Sequence, residues 1–354
     1  MRSAVALVVL ALVASACASD GTGAVTSTSP LASAKSSATP TPAPVTVTIG
    51  QVGGISDAAI FIGQAKGYFA EQGITLDSTA FTTAALMVAP LVRGDLMVGG
   101  GASGSGLFNA IRTGTAMRIV ADKGNLNPGH GYEAIVVRSA VADQIKGPKD
   151  LKGRNVALSA RDITPEVTLD AYLRTGGLTI KDVNLVVIPH AQMLAGFQTG
   201  AIDAGVPIEP YVTSILESGM GKLLIRSDAV TPGHQTAVIF YSDQFAKQRD
   251  VAVRFMIAYL KGARFYADAF EKNDAAKRSE AIDILAKATK FDAALLGKAT
   301  MPGIDPNGRV NLKSLGEVQE YLVAKGTLGG AIDMAKVVDL SFADAAVTVL
   351  GPYK

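Results

Sequence analysis

The chain has 354 residues, 33 Lys and Arg against 31 Asp and Glu, a formal net charge of +2, no Trp, three His and one Cys. No basic run or basic-aromatic patch occurs, so the sequence argues against nucleic acid as a partner. His130, His190 and His234 stand at no metal-motif spacing, and one cysteine cannot complete a ligand set, so no metal or other cofactor is expected.

Residues 1–16 read MRSAVALVVLALVASA. Arg2, the apolar run Ala4–Ala14 and the small residues after it have the build of a secretory signal peptide. The run is shorter than the roughly 20 residues that span a bilayer. Ala14-Ser15-Ala16-Cys17 resembles a bacterial lipobox, with Ala14 where leucine is favoured. Cys17 is therefore expected to be lipidated and to anchor the chain, because two acyl chains give stable attachment. The alternative is plain cleavage after Ala16, leaving a free exported thiol. Residues 17–45 are rich in Ser, Thr, Ala and Pro and read as a solvated tether.

The body opens with VTVTIGQV, an alternating, β-branched strand. GGIS turns into AAIFIGQAKGYFAEQG, a helix with Ile62, Ala65 and Phe69 at helical spacing and Gly73 at its end. ITLDSTAF is a strand. TTAALMVAPLVRG is a helix, irregular at Pro90 and closed by Gly94. DLMVG, SGLFNAIRTG and MRIVA continue as strand, helix and strand. YEAIVVR (132–138) is a further strand. After GPKDLKGR come NVALS, PEVTLDAYLRTGG, VNLVVIP, AQMLAGFQTG and DAGVP, with Thr164 as an N-cap before Pro165. TAVIFYS (236–242) closes this section, and the remainder is mostly helical. The alternation predicts an α/β fold with parallel strands flanked by helices. LVRGDLMVGG and FQTGAIDAGV share one plan, as two similar lobes in one chain would.

Taken in order, IGQVGGISDAAIFIGQAKGYFAEQGITL, LVRGDLMVGG, LKGRNVALS, FQTGAIDAGVPIEPYV and VQEYLVAKGTL resemble the solute-binding proteins of ABC importers. The group is the nitrate, sulfonate and taurine binders, which also includes pyrimidine-precursor binders. The likeness runs from about residue 46 to 351. It implies a two-lobed, type II periplasmic-binding-protein-like fold, each lobe a mixed sheet flanked by helices. Lobe one would be 46–133 plus 236–354 and lobe two 134–235, with YEAIVVR and TAVIFYS as hinge strands. It also implies an extracytoplasmic monomer that closes on a small-molecule ligand and hands it to a membrane permease. Some pyrimidine-synthesising enzymes share the fold, but they depend on a cysteine-rich motif that this chain lacks. No G-x-S-x-G elbow is present either, so an enzyme is not expected. A ligand-sensing lipoprotein is the other alternative.

Ligands in open α/β sheets bind beyond the carboxyl ends of strands. Gly53, Gly54, Ser56 and Asp57 follow the first strand and either approach a ligand or make a tight turn with a cap. Phe81 and Thr82 end the second strand, where Phe81 either stacks on a ligand or joins the core. GGGASGSG (99–106) places Ala102, Ser103 and Ser105 on the same edge. Gly99, Gly101 and Gly104 match G-x-G-x-x-G, with Asp122 after the next strand. That fingerprint normally opens its domain, and an exported protein lacks the dinucleotide supply, so a ligand loop is the better reading. On the other lobe, Arg161, Asp162 and Thr164 precede a helix. Arg161 either holds an anionic group or pairs with Asp162 or Glu166. His190 and Gln192 follow the next strand. Glu209 either accepts an amine or ring N–H or makes a salt bridge across the hinge. The ligand is expected to be small and organic, with an anionic sulfonate or carboxylate, or a heterocycle.

Overall fold

A computed structural model describes residues 43–354. The leader, Cys17 and the tether up to residue 42 lie outside the described residues.

Ten strands follow in chain order: β1 Val45–Gln51, β2 Ile74–Ala80, β3 Val98–Ala102, β4 Met117–Asn125, β5 Ala134–Arg138, β6 Asn155–Leu158, β7 Asn184–Val187, β8 Ala204–Gly205, β9 Gly221–Arg226 and β10 Gln235–Ser242. They form two five-stranded sheets, ordered β2-β1-β3-β10-β4 and β7-β6-β8-β5-β9. In the first, β1 runs parallel to β2 and β3, while β10 runs against β3 and β4. In the second, β6 runs parallel to β7 and β8, while β5 runs against β8 and β9. The reversed strands, β5 and β10, each follow a crossing of the chain between sheets. One edge of each sheet therefore gathers four strand ends and one strand start.

Alternation along β10 decides which side chains go to which core. Ile239 and Tyr241 pack in one cluster with Val47, Ile49, Phe255, Met256 and Tyr259. Val238 and Phe240 pack on the opposite face with Leu107, Phe108, Leu315, Val318 and Leu322. The second sheet divides the same way, Ile135 and Val137 to one face and Ala134 and Val136 to the other.

The helix Arg249–Phe270 is the main support of the first sheet. Ala252, Phe255, Met256, Tyr259, Leu260, Ala263 and Tyr266 recur at helical spacing and are buried. It presses on the helix Ala58–Ala65 so closely that a Cβ on Gly262 would lie 2.1 Å from the Ala59 carbonyl oxygen. Glycine is required there by contact, and that contact sets the height of the turn Gly53–Asp57 just before the supported helix.

Several local expectations change. The helix expected over AAIFIGQAKGYFAEQG breaks at Gly67, whose φ of 73° starts a separate turn, Tyr68–Glu71. The helix expected from Thr82 begins with a 3-10 turn, Ala84–Met87, and only Val88–Arg93 is α-helical. Thr164 is the first helical residue and Ile163 the cap. The Thr164 hydroxyl instead donates to the Thr236 carbonyl oxygen at 3.4 Å. Strand β9 was not expected, because GKLLIR is an edge strand with no alternating pattern and an exposed Leu223.

Candidate functional site

The gathered edges of the two sheets meet. Gly104 and Ile163 form an isolated antiparallel bridge, and the Ser105 N–H donates to the Asp162 carbonyl oxygen at 3.0 Å. The two glycine- and arginine-bearing loops are thus in direct contact.

On the first edge, Gly53 has φ 77° and its N–H donates to Asp57 Oδ2 at 2.8 Å. Gly54 precedes the 3-10 turn Ile55–Asp57. The other Asp57 oxygen lies 2.9 Å from Lys123 Nζ, with both side chains fully buried. Lys123 also donates to Ser56 Oγ at 2.8 Å. Gly100 makes room for the lysine, since a Cβ there would lie 2.9 Å from Lys123 Cε. Asp57 is therefore committed to the turn and to Lys123. Phe81 is half-buried and packs against the core, which favours its core reading. Thr82 is exposed and Ala102 half-buried. Ser103 is buried, with its hydroxyl 3.4 Å from the Gln235 carbonyl oxygen.

On the second edge, Arg161 is exposed and its guanidinium donates to the Leu185 carbonyl oxygen at 3.3 Å. Its expected pairing with Asp162 or Glu166 is replaced by Lys325, which binds Asp162 at 2.7 Å and contacts Glu166 as well. Lys325 competes successfully because it arrives on a helix packed against this loop. His190 stacks on Tyr211 with ring centroids 6.1 Å apart, and Tyr211 meets Phe291 edge-on at 5.3 Å. Burial lowers the His190 pKa to about 4, so the ring is neutral at pH 7. Gln192 is exposed. Glu209 accepts from the Thr213 N–H and hydroxyl at 2.9 and 2.8 Å, from Arg226 at 3.2 Å and from the Thr300 N–H at 3.3 Å. Its ion pair stays inside the 134–235 section, with Arg226, and does not cross the hinge as the alternative reading had it; the contact with the other section is the Thr300 N–H hydrogen bond.

The seam between the edges also contains residues that sequence reasoning passed over. The Tyr132 hydroxyl donates to Thr236 Oγ1 at 2.9 Å, and Thr236 donates to the Gly124 carbonyl oxygen at 2.8 Å. Gln51 ends β1, buried, with no protein partner for Nε2 among the described residues. Glu133 is buried beside Tyr132, and burial pushes its carboxyl up to about 8, with the neighbouring tyrosine pulling weakly the other way. Two hydrogen-bonded polar groups thus lie here, Asp57 with Lys123 and the half-buried Ser56, and Tyr132 with Thr236, and the buried Glu133 is next to the second. One signal was available: the charged pair Asp122-Lys123 stands near the carboxyl end of β4, directly after the apolar run Ile119-Val120-Ala121. Asp122 itself is used structurally. It accepts from the Asp305 N–H at 2.6 Å and from Gln235, and burial holds its carboxyl up at about 7.

Two mixed α/β sheets, each with one reversed strand and joined by two crossings, define the periplasmic-binding-protein-like fold. The structure of the alkanesulfonate-binding protein from Xanthomonas axonopodis pv. citri superposes with a TM-score of 0.68 and 18% identity, covering 84% of this chain and 99% of the other. The chain belongs to the NMT1-like family, whose profile matches residues 40–286. A binding protein of Brucella abortus is 24% identical over 246 residues, 66% of this chain and 68% of the relative. The taurine-binding periplasmic protein of Escherichia coli is 28% identical over 172 residues, 48% of this chain and 50% of the relative.

Proposed function

We propose that the protein is the extracytoplasmic solute-binding component of an ABC importer. It captures a small organic solute with an anionic group between the two sheet edges and delivers it to a membrane permease without transforming it. Residues 46–133 with 236–354 act as one lobe and 134–235 as the other. The observation that carries this reading is the buried polar seam between facing strand edges, in a chain whose family relatives include binding proteins. Loops 53–57, 99–105 and 160–164 lead into helices, whose N-termini favour negative charge. Titration calorimetry with short sulfonates and carboxylates tests it. One-site binding with the solute recovered unchanged is expected. Absence of binding across both series, or chemical conversion of a bound solute, would sink the reading.

The anchor is the lipid on Cys17. Metabolic labelling with a fatty-acid analogue should mark the wild-type protein, and Cys17→Ser should abolish the mark. A label that survives the substitution would leave the thiol without that role.

A further inference from the structure

Two crossings, 126–133 and 227–234, join the sheets, and they pair with each other where they leave the first sheet. The Leu126 N–H donates to the His234 carbonyl oxygen at 2.9 Å, and the Gly233 N–H to the Leu126 carbonyl oxygen at 2.8 Å. Gln235 starts β10 directly beside that rung, and His234, Gln235 and Thr236 are all buried. Every polar atom of Gln235 is committed. Nε2 faces three acceptors, the Asp122 carboxyl and the Gly124 and Ala237 carbonyl oxygens, the last two at 3.0 and 2.8 Å. Oε1 accepts from the Asn311 N–H at 2.9 Å. The backbone N–H donates to Ser314 Oγ at 2.8 Å, and the carbonyl oxygen accepts from the Ser103 hydroxyl at 3.4 Å. One residue thus joins β4, β10, the glycine loop after β3 and the start of the helix Leu312–Lys325.

Its partners are fixed in turn. Asp122 also accepts from the Gly124 N–H at 3.1 Å, from Asn125 Nδ2 at 3.2 Å and from the Asp305 N–H at 2.6 Å. Asn311 caps the helix by accepting from the Ser314 N–H at 3.1 Å, and its Nδ2 donates to the Gly233 carbonyl oxygen at 2.7 Å. Ser314 Oγ lies 3.1 Å from His234 Nδ1. The helix itself is held to the first sheet by Leu315, Val318 and Leu322. Both crossings are therefore clamped to the first sheet, up to Asn125 on one and from Gly233 on the other.

A buried network with its partners satisfied is rigid, whereas hinge motion is absorbed by a few residues at element ends. We propose that Gln235 is a positioning residue that sets the pivot of lobe closure, by clamping both crossings so that bending begins beyond Leu126 and His234. This rests on the two-lobed capture reading. Gln235 is buried with its polar atoms committed, so it acts without touching solute. A fixed pivot makes the two edges meet in one orientation. A loose pivot lets them meet in many, so the binding-competent arrangement is populated less and apparent affinity falls by that fraction.

The test is pulsed dipolar spectroscopy on the solute-free, full-length protein. Cys17→Ser removes the only native thiol, and Lys287→Cys with Lys181→Cys places spin labels at exposed sites on the two lobes. Gln235→Met, close in volume, should widen the distance distribution about twofold or more, because a freed hinge samples more orientations. Asn311→Ser keeps a cap residue on the helix and removes the donor to Gly233. It should widen the distribution less, and it covers the case in which Gln235→Met does not fold. Phe255→Leu changes the core at the other end of β10, against Tyr241. It should lower stability and leave the width as in wild type. Wild-type widths in Gln235→Met and Asn311→Ser, or equal widening in Phe255→Leu, overturn the assignment. The readout needs no solute, so the calorimetry above judges capture separately. A protein that binds sulfonates or carboxylates and keeps its width in both junction variants loses the pivot and keeps capture.

Discussion

Lys123→Met should destabilise the folded protein by about 3–5 kcal/mol, among the largest effects of any single substitution at the seam. The Lys123 and Asp57 side chains are both fully buried, 2.9 Å apart. Methionine keeps most of the lysine stem's volume but removes the charge. Asp57 would then be an uncompensated carboxylate with only the Gly53 N–H, at 2.8 Å, for support. Ser56 would lose its donor at the same time. The expected result is a loss of urea unfolding free energy, together with weaker solute binding as the turn Gly53–Asp57 loosens. Removing the second charge should help. Lys123→Met with Asp57→Asn should recover more than half of the loss, because a buried pair replaced by neutral groups is often close to neutral in stability. A loss below about 1 kcal/mol in the single variant would mean that water reaches Asp57 and the pair does not hold the turn.

Lys325→Ala should weaken solute affinity by roughly thirtyfold, through closure and without contact to the solute. Lys325 ends the helix Leu312–Lys325, which packs on the first sheet through Leu315, Val318 and Leu322. Its ammonium binds Asp162 at 2.7 Å and contacts Glu166, at the start of a helix that covers the second sheet. Tyr321 donates to the same Glu166 carboxylate at 2.7 Å, and Val167 beside it is buried in the first sheet's cluster. Together these form a latch across the seam. The lysine side chain is 20% exposed, so about 2 kcal/mol is assigned to its loss, less than for a fully buried pair. Under the proposed hinge closure on solute, that energy is converted into apparent affinity. Calorimetry should show the weakening, and scattering of the solute-free variant should give a larger radius of gyration than wild type. Glu166→Gln should do less, since the amide still accepts from Tyr321. Unchanged affinity and unchanged scattering in Lys325→Ala would remove the latch from the mechanism.

Much of the scaffold was legible in the sequence because its signals are local. VTVTIGQV and TAVIFYS alternate with the two-residue period of a strand, and β1 and β10 lie there. Gly94 and Gly200 end their helices with φ 83° and 76°, a conformation that favours glycine. The order of these units, with YEAIVVR entering the second sheet, carried the α/β architecture and the edge on which a site would lie. What each polar residue does there was decided only by tertiary structure. Asp162 was expected to face a solute or pair with Arg161, yet its partner is Lys325, 163 residues away. Glu209 was open between solute and salt bridge until Arg226 and Thr300 were brought beside it. Lys123 and Glu133 carry no motif at all. Burial makes them consequential, by turning an ordinary lysine into the neutraliser of Asp57 and by pushing the carboxyl of an ordinary glutamate up to about 8. Periodicity belongs to neighbours in the chain and can be read from it. Desolvation and charge pairing belong to neighbours in space, and they arise only when the sheets and helices have packed.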